Sequence, residues 1–393
     1  MAKNKKSKKS TYSIFIIIAV ALVVCICYYF NIPPMNFDLG IGFKAPISEK
    51  PPIKHVDGEM YISFIDVGQG DCILIEFADN KNMLIDGGDY DKSDNKVAEK
   101  ILDYLKARNV SILDYVLLTH TDADHCGSLD KVIQSDDILA KTVYMPYVRS
   151  KYEKDPIVNG TSVVSDQLKN AVDMTTKLES NTRGYIETKN YADFVQAVVN
   201  EKSKIIYSVK GEKIEGTGYS FIFVTPNAEF YNEVKKDNSE GINNVSPINM
   251  LEFNGVKVIF TGDAHTTGGK NKKGAEEAFL YNIKNDANLR IDPDCDVLKV
   301  GHHGSRSSSS SAFLNAIKPE VAVISAGKNN KYSHPHTETL SALNRIGAKI
   351  YCTIDFGTTL LTINKNGYSL STEKLVSNNY KIIDCFAYSF GMN

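Results

Sequence analysis

Charge of one sign is what this 393-residue chain most lacks. Its 45 Lys and Arg stand against 47 Asp and Glu, a formal net charge of -2. A globally basic protein that wraps nucleic acid is excluded. Cysteine is sparse as well, and seven Cys in so long a chain make no disulfide scaffold. The sequence holds no phosphate-binding P-loop, no H-E-x-x-H and no G-x-S-x-G nucleophile elbow. It also lacks a short-period internal repeat, which sets solenoids and propellers aside. What remains is ordinary globular composition, 42% apolar and 23% charged. A mostly disordered, collagen-like or coiled-coil chain is thereby excluded. The length suffices for one large domain or two ordinary ones.

The near-neutral balance hides an asymmetry. Lys3, Lys5, Lys6, Lys8 and Lys9 are the only charges in residues 1–30, and without them 40 basic groups face 47 acidic ones, a balance of -7. Ser10 to Pro34 is uncharged, and Ile14 to Phe30 is an unbroken run of apolar, small or aromatic residues. With its flanks this run reaches the roughly 20 residues that a bilayer-spanning helix needs. Tyr28, Tyr29 and Phe30 suit the aromatic interface belt. The expectation is a basic cytoplasmic tail over 1–10, one membrane anchor over 11–31 and a catalytic part outside the cytoplasm. A cleaved signal peptide is the alternative, but no clear small-x-small site follows the run. Cys72, Cys126, Cys295, Cys352 and Cys385 follow the anchor. An odd number cannot pair fully, so mostly free, buried thiols are expected.

Residues 32–58 are Pro-rich and aperiodic, a linker. From Met60 the texture changes. Tyr61–Asp66, Cys72–Phe77 and Asn82–Ile85 read as strands divided by turns, Val97–Arg108 as a helix and Asp114–Leu118 as a buried strand. Residues 150–215 are rich in Lys, Tyr and Asn and read as a variable insertion with helices at Ser165–Leu178 and Tyr191–Val199. Further strands are expected at Ser220–Val224, Ile248–Phe253, Val256–Thr261, Val297–Val300 and Val321–Ser325. A helix at His336–Ile346 and strands at Lys349–Ile354 and Thr358–Ile363 close the pattern, leaving 375–393 as a tail. Strands with interspersed helices, laid out twice, predict two sheets with helices outside: a four-layered α/β sandwich over 59–374.

The strongest chemical signal is Thr119-His120-Thr121-Asp122-Ala123-Asp124-His125. Four potential metal ligands fall within six residues directly after a strand. Imidazole and carboxylate together suit hard to borderline divalent metals. The bland reading, a solvated acidic turn, is weakened by the scarcity of His, eight in all. The same design recurs. Strands end in Asp86-Gly87-Gly88, in Thr261-Gly262-Asp263, in Gly301-His302-His303-Gly304-Ser305, and before Tyr332-Ser333-His334-Pro335-His336. Ligands gathered beyond strand C-termini are where open α/β sheets bind. Gly304 to Ser311 reads either as a flexible polar loop or as a phosphate cradle using Ser305 and Arg306. Lys81, Lys92 and the Lys/Tyr residues of 150–215 suit either a solvated surface or a nucleic-acid strand.

These segments, with Phe64-Ile65-Asp66-Val67-Gly68-Gln69-Gly70-Asp71, resemble the metallo-β-lactamase superfamily, and within it the hydrolase domain of ComEC-type DNA-uptake competence proteins. The resemblance covers roughly residues 60–372, with a single anchor where those proteins carry a large channel region. It implies an αββα fold with two divalent metals at the sandwich edge. His120 and Asp122 would face the first metal. Asp124, His125 and His302 would hold the second, and Asp263 would bridge. Asp86 would orient the ligand loop. No His lies between residues 126 and 264 to serve as the superfamily's third-motif ligand, so Asn244 or Ser246 would complete the looser first site. Asp124 or Asp263 would orient or deprotonate the attacking water, His303 and His334 would touch substrate or leaving group, and Asp71, Ser305, Arg306 and His336 would line the substrate path. Oxygen-rich ligation at Asp122 shifts preference from Zn²⁺ toward Mn²⁺.

The expected function is a membrane-anchored, extracytoplasmic hydrolase of phosphodiesters, with DNA as the favoured substrate. The alternatives are a metallohydrolase of small phosphoesters, lactones or β-lactams, and a surface binding module without catalysis.

Overall fold

A strand buried on both faces must be apolar at every position, and several short runs meet that condition. Val321–Ile324 and Val297–Lys299 are buried throughout and lie in parallel register, Val297 beside Val321. The computed structural model describes residues 56–90, 95–151, 172–173, 184–186, 188–234, 239–267, 273–289 and 291–374. The anchor expected at 11–31 and the tail after 374 lie outside the described residues. Among those described, no helix is long and apolar enough to cross a membrane.

Two large sheets result. The first has nine strands, in the spatial order Gly367–Thr372, Thr359–Asn364, Met60–Phe64, Ile73–Glu76, Asn82–Ile85, Ile112–Leu117, Leu139–Met145, Lys204–Tyr207 and Val172–Asp173. The second has seven, in the order Lys213–Gly216, Tyr219–Phe223, Asn249–Phe253, Val256–Phe260, Val297–Lys299, Val321–Ile324 and Lys349–Cys352. Pleat alternation divides each strand between two cores. Ile73 and Ile75 face inward and meet Phe221, Phe223, Val258 and Val323 of the other sheet. Leu74 and Leu84 face outward and pack with Ile101 and Leu105 of the helix Lys96–Ala107. On the opposite side Ile259 and Leu298 pack with Phe279, Phe313 and Leu340 from three helices. Helix, sheet, sheet and helix are the four layers expected from the sequence.

The sequence pattern leaves open which sheet the last strands join. Thr359–Asn364 pairs antiparallel with Met60–Phe64 and so closes the first one. Within 150–215, the helix expected at Tyr191–Val199 is present as Lys189–Glu201 and buries Tyr191, Phe194, Val195 and Val198, but Lys204–Tyr207 is an unexpected strand of the first sheet, parallel to Leu139–Met145. The polar composition of this segment masked that strand. The helix expected at Ser165–Leu178 lies largely outside the described residues, but Val172–Asp173 is a strand. The thiols follow expectation where described: Cys72, Cys126, Cys295 and Cys352 are free and buried. Burial pushes the Cys72 and Cys126 thiols well above their ordinary range, which makes them unreactive.

Candidate metal centre

Parallel strands align their C-terminal ends, and here those ends deliver the ligand-type residues to one edge. Asn82–Ile85 and Ile112–Leu117 run parallel in one sheet, Val256–Phe260, Val297–Lys299 and Val321–Ile324 in the other. The loops that follow them carry Asp86, His120 to His125, Asp263, His302 with His303, and His334.

The tightest cluster is Asp71, His125, Asp263 and His303, all buried, each offering one ligand atom within 4.8 Å of the others. His125 Nε2 lies 3.2 Å from His303 Nε2 and 3.2 Å from Asp263 Oδ1. Asp124 Oδ2 stands 3.2 Å from His303 Nε2. A second group faces Asp263 Oδ2: His302 Nε2 at 3.5 Å and His120 Nε2 at 3.8 Å, the latter 3.7 Å from Asp122 Oδ2. Asp263 therefore stands between two sets of donors. His120 is fully buried, yet its Nε2 makes no hydrogen bond. A buried ring nitrogen without a hydrogen-bond partner, facing carboxylates, is a costly arrangement. A divalent cation removes that cost, and the mixed imidazole and carboxylate donors fit one.

The electrostatics of the cluster agree. Burial alone would lower the imidazoles of His125 and His303, but Asp263 and the other carboxylates outweigh it. His125 is held well above its ordinary value and His303 is lifted to about 10. Burial alone would raise the Asp124 and Asp263 carboxyls. The facing imidazoles outweigh it and hold both below the ordinary carboxylate range. The site concentrates negative charge and draws in positive charge, here as protons.

Behind the cluster stands Asp86, fully buried with a left-handed backbone at φ 57°. Its carboxylate accepts the Thr119 N–H at 2.8 Å and the Thr119 hydroxyl at 2.7 Å, and lies 2.8 Å from His125 Nδ1. These contacts tie it to the ligand loop. Ser246 Oγ accepts the Asp263 N–H and lies 3.2 Å from His120 Nδ1. Asn244 instead braces the backbone, donating to Thr267 O and accepting the Ala275 N–H. Gly70, at φ 129°, is needed where its loop crosses: a Cβ there would overlap the carbonyl oxygen of Asp124.

Several placements differ from the sequence expectation. His303, rather than His302, joins Asp124 and His125. Both residues have left-handed backbone, φ 49° and 53°, so the chain coils tightly and sends the two rings to different sides. A two-His doublet does not encode which ring goes where. Asp71 is no substrate-facing group: it is 1% exposed and paired with Lys299 at 2.7 Å. Arg306 turns outward to an exposed ion pair with Glu338, where solvent screens it. Its backbone N–H donates to His336 Nδ1, so His336 braces this loop. Ser305 Oγ lies 2.9 Å from Ser307 Oγ, and Ser307 Oγ is 3.1 Å from His302 Nδ1. His334 is buried beside His302, ring centroids 5.2 Å apart, with an unpartnered Nδ1. Burial and His303 push its imidazole down to about 3, so it is neutral at physiological pH.

Two residues escaped the sequence reading. His265 Nε2 lies 3.0 Å from His302 Nδ1 and 3.0 Å from Asn243 Nδ2, and so orients His302. Its position two residues after Asp263 was the available signal. Glu276 is the other. It is 2% exposed and accepts the N–H groups of Ser309 and Ser310, pinning the loop after His303. Burial raises its carboxyl to about 7, against the pull of those N–H groups. A raised acid stabilises the fold fully below its unfolded value of 4.5 and loses this as pH rises through about 7. Glu276→Gln is expected to flatten the fall in melting temperature of the metal-free protein between pH 4.5 and 7. An unchanged pH profile would show that the carboxyl is not the titrating group.

A cavity of about 540 Å³ opens over the cluster, lined by Gln69, Asp89, Asp122, Asp124, Lys331 and Tyr332. Tyr332 is 50% exposed and stacks on His334 at 5.5 Å.

Residues 65–159 match the family model described as the metallo-beta-lactamase superfamily. The chain is 27% identical over 321 residues to ComE operon protein 3 of Bacillus subtilis, covering 78% of this chain and 33% of the relative. It is 25% identical over 331 residues to competence protein ComA of Neisseria gonorrhoeae, covering 84% and 35%. The chain thus spans about a third of the length of these curated relatives. Among solved structures, the metallo-beta-lactamase fold protein YhfI from Bacillus subtilis aligns with a TM-score of 0.39 at 11% identity, over 75% of this chain and 96% of that one. The resemblance to the superfamily and to ComEC-type proteins is borne out.

Proposed function

We propose, from its metallo-β-lactamase-like fold and its likeness to competence proteins, that the chain is a metal-dependent hydrolase of phosphodiesters, with DNA as the favoured substrate. The observation that carries this reading is Asp263 standing between two sets of donors, with the buried, unpartnered Nε2 of His120 beside it. His125, His303 and Asp124 would hold one divalent metal, and His120, Asp122 and His302 the other. Bound there, such a pair supplies positive charge for phosphoryl oxygens and acidifies water.

The chain's own residues do the rest. Asp263 stays ionised in the dry interior and keeps the two donor sets in register. Asp122, with its side chain 37% exposed, opens one set to the cavity where substrate enters. The neutral ring of His334 presents Nδ1 as a hydrogen-bonding group next to His302. Asp122 in place of an imidazole makes its set harder and favours Mn²⁺ over Zn²⁺. The five lysines before an uncharged run support an anchored protein with this domain outside the cytoplasm.

The deciding assay takes the fragment 56–393, stripped of metal, against single- and double-stranded DNA, bis(p-nitrophenyl) phosphate and nitrocefin. Phosphodiester cleavage restored by Mn²⁺ more than by Zn²⁺ is expected. Turnover of nitrocefin alone, or full activity with one equivalent of Zn²⁺ and no gain from Mn²⁺, would defeat the proposal.

A further inference from the structure

The most unusual group near the cluster is a lysine with no access to water. Lys299, on the strand Val297–Lys299, is 0% exposed. Its Nζ donates to Asp71 Oδ2 at 2.7 Å and to Val300 O at 3.0 Å. Burying an ammonium and a carboxylate costs several kcal/mol per ion before their attraction is counted, on the order of what many whole folds hold in reserve. A pair of well-packed apolar residues would serve a core as well. The pair therefore calls for a role beyond stability.

Its position supplies one. The other oxygen of Asp71, Oδ1, makes no hydrogen bond and lies 3.4 Å from His303 Nδ1. That nitrogen is also 2.9 Å from the carbonyl oxygen of Ser325. A ring nitrogen facing an anion and a carbonyl keeps its proton. The other nitrogen, Nε2, is then the one left to offer a lone pair to a metal, and it points at His125, Asp124 and Asp263. Asp71 is held by its backbone too: its N–H donates to Asp124 O at 3.1 Å, and its carbonyl accepts the Gly88 N–H at 2.8 Å. Asp71 nonetheless offers a ligand atom within 4.8 Å of those of His125, Asp263 and His303. Without a cation behind it, its carboxylate is free to turn into the cluster and compete for the position of His303.

We infer that Lys299 is a positioning residue: it holds Asp71 back as the anion that faces Nδ1 of His303 and fixes the aim of that ring, so that the imidazole rather than the carboxylate faces the metal. Orienting partners of metal-binding imidazoles typically contribute about 10–100-fold in metal affinity. The inference rests on the cluster being a metal centre, and its test separates the two.

Lys299→Met alone strands a buried carboxylate and is prone to unfold. The informative variant is Lys299→Met combined with Asp71→Ala, which removes both charges together. Wild type and double variant are compared as the full 393-residue chain by metal-free melting temperature, by Mn²⁺ and Zn²⁺ affinity, and by the absorption spectrum with Co²⁺. The expectation is a double variant that melts within a few degrees of wild type, binds metal about 10–100-fold more weakly and has an altered Co²⁺ spectrum. Wild-type affinity and spectrum in the double variant would overturn the inference. So would a double variant that fails to fold, because the pair would then be serving the core. A wild-type protein that binds no metal would instead remove the metal-centre reading itself.

Discussion

Asp263→Ala is expected to abolish metal binding at both donor sets and to lower the proposed phosphodiester hydrolysis by at least about a thousandfold. The reason is position. Its two oxygens reach His125 Nε2 at 3.2 Å, His302 Nε2 at 3.5 Å, His303 Nε2 at 3.6 Å and His120 Nε2 at 3.8 Å. No other described carboxylate approaches all four rings. The metal-free protein adds an independent readout. Burial alone would lower His303, but Asp263 is the largest of the charges that lift it to about 10, from an ordinary 6.5. A raised imidazole stabilises the fold fully below 6.5, and this is lost as pH rises through about 10. The wild-type melting temperature should fall across that window, and that of the variant should fall less. Metal content by mass spectrometry and kcat/KM on bis(p-nitrophenyl) phosphate are the measurements. Retention of more than about a tenth of the activity would show that the two donor sets do not depend on a shared carboxylate.

Asp86→Ala should act on stability first. The carboxylate is fully buried and satisfies the Thr119 N–H, the Thr119 hydroxyl and His125 Nδ1 at once. Alanine leaves the Thr119 N–H and His125 Nδ1 without a partner in a dry site, leaves the Thr119 hydroxyl only His120 Nδ1 at 3.1 Å, and strands an imidazole that the cluster keeps charged. Removing one partner of a buried ion pair costs about 3–5 kcal/mol. Urea unfolding of the metal-free variant is the measurement, and a loss under about 1 kcal/mol would place the loop's order elsewhere. Asp86→Asn should lose less, because an amide oxygen still accepts the Thr119 N–H.

The two substitutions probe different depths of one design, and the sequence makes that design visible unequally. Short, wholly apolar runs ending in Asp or His were enough to place the ligand loops at strand ends, because parallel strands share an edge whatever the surface composition. Asp86, His120, Asp124, His125 and Asp263 stand in local motifs whose spacing carries chemistry, and the structure gathers them. The layering was legible for the same reason, since apolar periodicity records burial directly.

What local pattern does not record is orientation and long-range pairing. The His302-His303 doublet reads identically in either arrangement, and two left-handed backbone positions decide which ring joins Asp124. Lys299 reads as one polar interruption in a buried strand until Asp71, 228 residues earlier, meets it. Arg306 sits in a loop that promised a phosphate contact, yet the approach of Glu338 turns it to solvent. The segment before residue 215 hid a core strand beneath polar composition. Sequence alone determined the sandwich, its loaded edge and the donor types gathered there, because burial and ligand chemistry are properties of single residues at fixed spacing. Only the tertiary structure decided which donors converge, which are held back and which face water, because those are properties of pairs brought together by folding.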